Sequence, residues 1–440
     1  MAPTTTRDVV EAPKIEITLT LVLGKKYFQQ VEESGDSDLS QFLLQCRQKA
    51  FDWIVNQDQM QLEYDAPNLL QRFLLVLFYF QTTRYQPWKE CNPPSTSQGS
   101  AISGLCYEPH PLTGEATSDI WGDQWLSRSH ECQWGGVSCL ATQSGKRTVV
   151  ELGLGWNWLN GPLPWEVTRL QLGRLHLKYN LLTGLLPPEL LSTESSLPLE
   201  YLGLSVNQFT GAIPARWFDN LDEGPAKLTA LQLYSNQLIG TLPSEVGLLP
   251  LRQLYVGRNE LTGSLPTEIF SIASLETLLV DSNELTGTLP KIGLATQLGE
   301  MYLSFTSMQG TLPEEFYTGL SELNTFWGNN CNFSGTISSL LGLLTSLEWL
   351  DLSNNNFDGT IPNEIEALPK LRRFLVNGNA LTGTVPVSVC YSAAFVENYG
   401  GTSEFVADCL PNAETGVPTI ECAADCCTSC CDETGVCLAN

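Results

Sequence analysis

The sequence predicts an α/β repeat solenoid, and three observations predict it. Ten segments end in asparagine or a residue that replaces it, at spacings of 23 to 29 residues. Apolar residues alternate with polar ones before each end point, as in a short strand with one buried face. No single copy can bury that face alone, so the copies must stack on one another. The ten end points are Asn157, Asn180, Asn207, Asn236, Asn259, Asn283, Thr306, Cys331, Asn355 and Asn379.

Each repeat follows approximately the pattern L-x-x-L-x-L-x-x-N-x-L-T-G-x-L-P, as in residues 251–266. The asparagine can turn the chain and satisfy backbone groups that lie beside the strand. A glycine four residues later is present in all ten repeats, and nine repeats have a proline three residues beyond it. Glycine permits a positive φ, and proline fixes φ at the start of the next segment. We therefore interpret these fixed positions as structural, in ten repeats over residues 149–389.

Residues 38–148 are predicted to form a helical and disulfide-bonded cap that covers the first repeat. Apolar residues recur at helical spacing between Asp38 and Asp58, and a second helix is expected after Pro67 as far as Phe80. Cys46 lies on an apolar helix face, which favours a buried thiol over a ligand. Residues 1–37 are expected to be flexible. Their stretch 15–23 alternates like a strand, and we do not interpret the amino end as a signal peptide.

The L-T-G-x-[LI]-P block resembles the plant-type leucine-rich-repeat family, and the resemblance covers about residues 125–390. The segment from Cys132 to Cys139, with Trp134 and Gly136 between them, is similar to the C-x-W-x-G-V-x-C pattern of that family's amino-terminal cap. Cys390 and Cys409 are placed like the family's carboxy-terminal cap pair. The resemblance implies a right-handed superhelix with a concave parallel β-sheet, and an extracellular recognition surface.

The chain has 14 cysteines, and six of them fall within residues 422–437, which favours an oxidising compartment. We expect residues 390–440 to form a Cys-rich cap or tail, similar to clusters in algal members of the family and closed by disulfides. Cys427 and Cys430 also have the spacing of metal ligands, but a disulfide knot is favoured and no metal is predicted. The expected disulfide cysteines are Cys91, Cys106, Cys132, Cys139, Cys390, Cys409, Cys422, Cys426, Cys427, Cys430, Cys431 and Cys437.

The strand residues two, four and six positions before each end point are expected to line the concave face. Aromatic side chains there offer a large rigid contact area, although scattered surface aromatics are also common. Acidic groups among them favour a neutral or cationic ligand over an acidic polysaccharide. His176, beside Arg174 and Lys178, is expected to contact ligand rather than act as a base. The predicted ligand-binding residues are Tyr201, Tyr234, Tyr255, Tyr302, Trp327, Trp349, Asp281 and Asp351.

Several classes of function are excluded by composition and motif. The net charge of −25 repels nucleic acid, and the longest apolar run has eight residues, whereas a membrane span needs about 20. Three scattered histidines do not make a catalytic or zinc site, and the motifs of a protein kinase are absent. We expect no catalytic residues and no cofactor. Asn332 begins a glycosylation sequon, which we expect to lie at a turn on the convex side.

These observations predict a non-catalytic recognition module that binds a protein, a peptide or a neutral glycan on its concave face. A secreted inhibitor of a cell-wall hydrolase would use the same face and remains an alternative. The expected location is extracellular or at the cell surface, with a possible membrane receptor as partner. A cytosolic leucine-rich-repeat scaffold is the other alternative, because no signal peptide is visible.

Overall fold

The computed structural model describes residues 14–20, 23, 37–92, 105–109, 116–141, 145–191, 199–219, 227–385, 404–410, 420–422, 427, 429–432 and 437–439. For residues 37, 105–109, 116–120 and 439 it describes the backbone alone. The chain divides into two compact units, Met1–Pro225 and Ala226–Asn440. Each unit is built from stacked parallel strands, as the alternating apolar pattern predicts.

Both predicted cap helices are confirmed. Helix α1 spans Ser37–Asn56 and α2 spans Leu69–Gln81, while a third helix, α3, spans Glu314–Gly319 in the second unit. Residues 14–20 are also helical, so the strand expected there is wrong. Ile15 and Leu19 are both buried, and a spacing of four residues places them on one helix face. None of the described helices has the length and apolar character needed to cross a membrane.

A buried arginine holds the amino-terminal cap together. The guanidinium of Arg72 is fully buried, and its Nε donates to Asp58 Oδ2 at 2.8 Å. It lies 5.2 Å from the ring centroid of Trp53 and 4.7 Å from that of Trp134. Glu131 carries a second buried carboxylate, 3.4 Å from Arg72 Nη1. Removing one member of such a cluster leaves another charge buried without its partner, so these residues act structurally.

The first sheet contains the strand that precedes each end point. In the first unit its strands are β3 (Val137–Ala141), β4 (Arg147–Gly153), β6 (Arg174–His176) and β8 (Tyr201–Gly203). In the second unit they are β10 (Ala230–Gln232), β12 (Gln253–Tyr255), β14 (Thr277–Leu279), β16 (Glu300–Tyr302), β18 (Thr325–Trp327), β20 (Trp349–Asp351), β22 (Arg373–Leu375), β25 (Glu404–Ala407), β27 (Ser429–Cys431) and β28 (Cys437–Ala439). The pairings recorded within each unit are parallel, except for β3 with β4 and β27 with β28.

The second sheet contains the strand that follows each end point. In the first unit its strands are β5 (Asn160–Pro162), β7 (Leu181–Leu185) and β9 (Gln208–Gly211). In the second unit they are β11 (Gln237–Thr241), β13 (Glu260–Ser264), β15 (Glu284–Thr288), β17 (Ser307–Gly310), β19 (Asn332–Thr336), β21 (Asn356–Gly359) and β23 (Ala380–Leu381). Two small pairs complete the fold: β1 (Leu105–Pro109) with β2 (Ala116–Asp123), and β24 (Gly383–Thr384) with β26 (Ile420–Glu421).

The end-point asparagines link each repeat to the one before it. Asn355 Oδ1 accepts a hydrogen bond from Phe333 N at 3.0 Å, and its Nδ2 donates to Gly328 O at 2.8 Å and Leu352 O at 3.0 Å. This confirms that the amide satisfies buried backbone groups. In one repeat with a substitute, Cys331 Sγ lies 3.3 Å from Leu303 O.

The asparagine ladder extends one turn beyond the ten repeats of the sequence prediction. Asp408 follows β25 and accepts hydrogen bonds from Gly378 N at 2.9 Å and Asn379 N at 3.2 Å. Its carboxylate thus takes the backbone-accepting role that an amide has in the preceding repeats. The repeat pattern hides this turn, because an acid replaces the asparagine after a spacing of 29 residues from Asn379.

Candidate ligand-binding surfaces

The first sheet of the second unit places one predicted column of side chains side by side. The strands β12 to β20 pair in parallel and in register, with Tyr255 beside Leu279, then Tyr302, Trp327 and Asp351. The middle residue of each strand is buried, so its two neighbours point to the opposite face. Aromatic residues chosen from separate repeats therefore share one exposed face.

Two aromatic rings lie against that of Trp327, and we call Tyr302, Trp327 and Trp349 the aromatic cluster. The centroids of Tyr302 and Trp327 are 4.8 Å apart in an edge-to-face arrangement. The rings of Trp327 and Trp349 stack with centroids 6.4 Å apart. Trp349 remains 39% exposed, so the cluster keeps free aromatic surface. Such a surface suits an apolar or cationic group.

Carboxylates border the aromatic cluster. The Tyr302 hydroxyl donates to Glu300 Oε2 over 3.4 Å. The pKa of Tyr302 is raised to about 12, chiefly by burial and then by the negative charge of Glu300. The pKa of Asp281 is also raised, chiefly by burial. Half-buried carboxylates next to aromatic rings favour a ligand that brings positive charge.

Tyr234 and Asp281 meet over a residue that has no side chain. A β-carbon placed on Gly257 would lie 2.4 Å from Asp281 Oδ1 and 3.0 Å from Tyr234 Cε2. Asp281 also accepts a hydrogen bond from Ser282 Oγ at 3.2 Å. The guanidinium of Arg258 lies 5.6 Å from the Tyr234 ring. The structure therefore brings Tyr234 and Asp281 together around Gly257, a residue that the sequence analysis did not select.

Asp351 is held by its own turn. Its Oδ1 accepts hydrogen bonds from Ser353 N at 3.0 Å and from Ser353 Oγ at 2.6 Å. Burial is the largest influence on its pKa, which is raised. Arg373, which the sequence analysis did not select, pairs with Glu404 at 2.8 Å and lies 5.9 Å from the Trp349 ring. Arg373 on β22 thus places a cation beside Trp349.

Tyr201 belongs to the first unit and has basic neighbours. Its ring centroid lies 4.8 Å from the Arg174 guanidinium and 5.5 Å from Lys178 Nζ. The ring of His176 meets it edge to face at 5.8 Å. Its surroundings are therefore basic, whereas Tyr302 in the second unit lies beside the carboxylate of Glu300.

The cysteines of the caps are largely paired. The structure joins Cys132 to Cys139, as the cap pattern implies. Cys91 is disulfide-bonded, while the side chain of Cys106 lies outside the described residues. Cys46 is buried as a free thiol, as expected, and its Sγ lies 3.4 Å from Phe80 O.

The pairing of the tail differs from the one expected. Cys409 bonds to Cys430, so the expectation that it pairs with Cys390 is wrong. The other described bonds are Cys422–Cys427 and Cys431–Cys437. The six tail cysteines therefore do not close among themselves, because Cys430 ties the tail to the end of β25. Cys390 and Cys426 lie outside the described residues.

No constellation for catalysis or metal binding emerges from the part of the chain that the structure describes. The sulfur atoms of Cys409, Cys422 and Cys427 lie within 4.8 Å of one another, but all three belong to disulfides. His130 caps a short turn by accepting from Cys132 N, and His110 lies outside the described residues. Asn332 is the exposed first residue of β19, so the turn position expected for the sequon is wrong.

The second sheet presents a regular face that the sequence analysis did not select. The residue after the fixed glycine carries an exposed hydroxyl in seven successive repeats, which we call the hydroxyl column. In the sequence, the hydroxyl column occupies the x position of the T-G-x-L-P block, directly after the glycine. The column consists of Thr241, Ser264, Thr288, Thr311, Thr336, Thr360 and Thr384.

The fixed glycines orient the hydroxyl column. A β-carbon placed on Gly263 would lie 2.9 Å from Cγ2 of Thr241, and one on Gly335 would lie 2.7 Å from Cγ2 of Thr311. Five of these glycines therefore receive the methyl group of the preceding threonine, and their positive φ disfavours a side chain. Because the strands are about 4.8 Å apart, the hydroxyls recur at that interval.

The repeats are similar to those of known plant proteins. The Leucine Rich Repeat family profile matches residues 346–368. Phytosulfokine receptor 1 of Arabidopsis thaliana is 27% identical over 212 residues, which are 41% of this chain and 20% of that protein. The chain thus spans about a fifth of the length of this curated relative.

Two solved structures resemble the fold. A plant ice-binding protein superposes with a TM-score of 0.55 at 26% identity, over 69% of this chain and 92% of that one. The Arabidopsis receptor kinase HAESA, in complex with the peptide hormone IDA and a co-receptor, superposes with a TM-score of 0.52 at 27% identity. That match covers 59% of this chain and 46% of the receptor. With its Asn ladder and paired parallel sheets, the chain has the fold of a leucine-rich-repeat solenoid, and its repeats are similar to those of plant receptor-like proteins.

Proposed function

We propose that the chain is a receptor-like recognition module that binds a peptide segment, with a basic side chain, on the first-sheet face of its second unit. The aromatic cluster with Glu300 beside it is the observation that carries this proposal. Aromatic faces attract a desolvated cation, and a neighbouring carboxylate adds charge complementarity. The similarity to a receptor kinase solved with a peptide hormone supports a peptide as the ligand class.

The test uses four pools of peptides. Every peptide in a pool carries the same residue at one fixed position, and this residue is Lys, Arg, norleucine or Glu. Binding to the purified chain is measured by fluorescence polarisation at two salt concentrations. The proposal expects the Lys or Arg pools to bind most tightly and the Glu pool most weakly. Equal binding of all four pools would contradict it. A neutral oligosaccharide series in the same assay tests the glycan ligand that the sequence also allows.

The proposed location is extracellular, as a non-catalytic module, because the described disulfides favour an oxidising compartment. A membrane receptor is the proposed partner for signalling. Inhibition of a secreted cell-wall hydrolase would use the same face. Stoichiometric inhibition within a hydrolase panel would favour that alternative over peptide recognition.

Ice binding is a second candidate function, and the hydroxyl column favours it. Seven hydroxyls at one fixed interval can hydrogen-bond an ordered layer of water, while the methyl groups of five of the threonines are packed on glycine and hold one orientation. The similarity to a plant ice-binding protein supports this candidate.

Ice-affinity partitioning tests the second candidate. The protein should be enriched in slowly grown ice, and Thr311→Lys should abolish the enrichment because a long charged side chain breaks the column. Thr267→Lys is the matched control, since Thr267 is exposed but lies outside the column. Exclusion of the unaltered protein from ice would reject this function.

A further inference from the structure

The carboxy-terminal tail brings two disulfides together at the end of the second unit. The sulfur atoms of Cys409, Cys422 and Cys427 all lie within 4.8 Å of one another. They belong to two different bonds, Cys409–Cys430 and Cys422–Cys427. We call these four cysteines the sulfur cluster. Opening both bonds would leave four thiols close to one another.

Backbone hydrogen bonds, in addition to the disulfides, hold the sulfur cluster in place. Cys430 lies on β27, which pairs in parallel with β25, and Cys409 comes two residues after β25. Cys422 directly follows β26, and Ile420 N at the start of that strand donates to Asp408 O at 3.2 Å. These contacts do not involve sulfur. They therefore remain available to hold three of the four cysteines near one another when the disulfides open.

Each of the two bonds has one sulfur atom that a reductant can reach. Cys409 and Cys422 are half-buried, whereas their partners Cys430 and Cys427 are only 5% and 1% exposed. A thiolate opens a disulfide by attacking one of its sulfur atoms, so access to one partner is sufficient. Reduction would then leave two buried thiols beside two accessible ones.

The four cysteines form a ligand set that suits zinc. Zinc prefers tetrahedral sites with thiolate ligands at about 2.3 Å, which places neighbouring sulfur atoms about 3.8 Å apart. Three of the sulfur atoms already lie within 4.8 Å of one another, so movements of about 1–2 Å bring them into that arrangement. Cys427 and Cys430 also have the C-x2-C spacing of structural zinc sites.

The charge of the tail favours a bound cation over free thiolates. Residues 391–440 contain eight acidic residues and no Lys or Arg. Four thiolates without a metal would add negative charge to a segment that has no basic side chain to balance it. A zinc ion offsets part of that charge and stabilises the deprotonated form of its ligands.

We propose that the sulfur cluster, when reduced, binds one zinc ion through Cys409, Cys422, Cys427 and Cys430. Two molecules of a dithiol reductant supply four electrons and four protons and become disulfides, while both S–S bonds of the cluster break and give four thiols. Zinc then forms four Zn–S bonds, and four protons are released. As disulfides the same sulfur atoms are not ligands, so the tail holds either two disulfides or one metal ion. This site does not depend on peptide binding or ice binding by the repeats.

The test compares the oxidised and the reduced full chain in titrations with Cd²⁺, a spectroscopic substitute for zinc. The chain is reduced with a phosphine, which is then removed in the absence of oxygen. The ultraviolet charge-transfer band of cadmium thiolate reports binding. We expect one tightly bound Cd²⁺ in the reduced chain and none in the oxidised chain, and Zn²⁺ should displace it whereas Mg²⁺ should not. Absence of the band from the reduced chain would overturn the proposal.

Two double variants, each lacking one tail disulfide, locate the metal. Cys422→Ser with Cys427→Ser removes two proposed ligands and should weaken Cd²⁺ binding by at least about 100-fold. Cys431→Ser with Cys437→Ser removes as many thiols from the same tail and should keep full binding, because neither residue belongs to the sulfur cluster. Equal binding by the two variants, or undiminished binding by the reduced chain in concentrated urea, would overturn the proposal. Circular dichroism spectra verify that the reduced variants keep the repeat fold.

Discussion

The second unit carries two exposed faces built from the same repeats, and they differ in regularity. On the first-sheet face the side chain changes at each strand, from Tyr302 to Trp327 to Asp351. On the second-sheet face, each of the seven repeats of the hydroxyl column contributes a hydroxyl at the same position. A varied face suits one ligand of defined shape, whereas a uniform face suits a ligand that is itself periodic. Positions between the fixed residues therefore decide what each face can recognise.

The largest expected effect is a loss of stability when an end-point asparagine is replaced, because its hydrogen bonds hold the backbone between the two sheets. Asn355→Ala should lower the free energy of unfolding by about 3 kcal/mol, because three buried backbone groups lose their partners. Urea denaturation followed by circular dichroism measures the change. Asn356→Ala, at an exposed neighbour, should change it by less than about 0.5 kcal/mol. Similar stability of the two variants would contradict the role of the ladder.

The next largest effect should weaken peptide binding at the first-sheet face and leave ice binding at the second-sheet face unchanged. Trp327→Ala removes the ring that contacts both Tyr302 and Trp349, and should weaken binding of the Lys or Arg peptide pools by about 2 kcal/mol, roughly 30-fold. Partitioning into ice should not change. Phe305→Ala is the control, because Phe305 is a 59% exposed aromatic outside the cluster. Equal losses of peptide binding in both variants would remove the cluster as the binding surface.

A smaller effect should follow from the charge beside the cluster. Glu300→Gln should weaken binding of the basic pools by about 0.5–1 kcal/mol, as for a partly exposed ion pair. It should also lower the pKa of Tyr302 from about 12, because the negative charge of Glu300 helps to raise it. Peptide titrations and an ultraviolet difference titration of tyrosine ionisation measure the two changes. A loss of binding that is equal for the norleucine pool would contradict an electrostatic cause.

The smallest expected effect is a pH dependence of peptide binding at the first-sheet face. Burial raises the pKa of Asp281, so this carboxylate takes up its proton at a higher pH than an exposed aspartate does. Binding of a basic peptide should weaken as the pH falls through that raised pKa. The Asp281→Asn variant should bind more weakly at neutral pH and vary less with pH. Identical pH profiles for the two proteins would exclude Asp281 from the ligand's surroundings.

The repeat scaffold could be predicted from sequence because its signals are local. Alternation of apolar residues defines each strand, and the spacing of the asparagines defines the stack. Helices α1 and α2 followed from the spacing of apolar residues in the same way. The turn at Asp408 was missed because a carboxylate, rather than an amide, accepts the backbone hydrogen bonds there.

The grouping of surface residues was harder to predict, because it depends on contacts between strands. The column containing Tyr255 and Trp327 was correct in register, but Tyr201 has basic neighbours that its position in the repeat does not reveal. The pairing of Cys430 with Cys409 was missed since a dense group of cysteines allows many pairings. The hydroxyl column is visible in the T-G-x-L-P block once the second sheet is considered.

Contact between the aromatic cluster and a basic peptide can be tested most directly by indole NMR. Trp327→Phe and Trp349→Phe assign the two indole N–H signals, and the peptide pool with the tightest binding is then titrated into the unaltered chain. We expect these two signals to shift first and to saturate together. Shifts confined to other tryptophans, such as the exposed Trp158, with Trp327 and Trp349 unchanged, would contradict it.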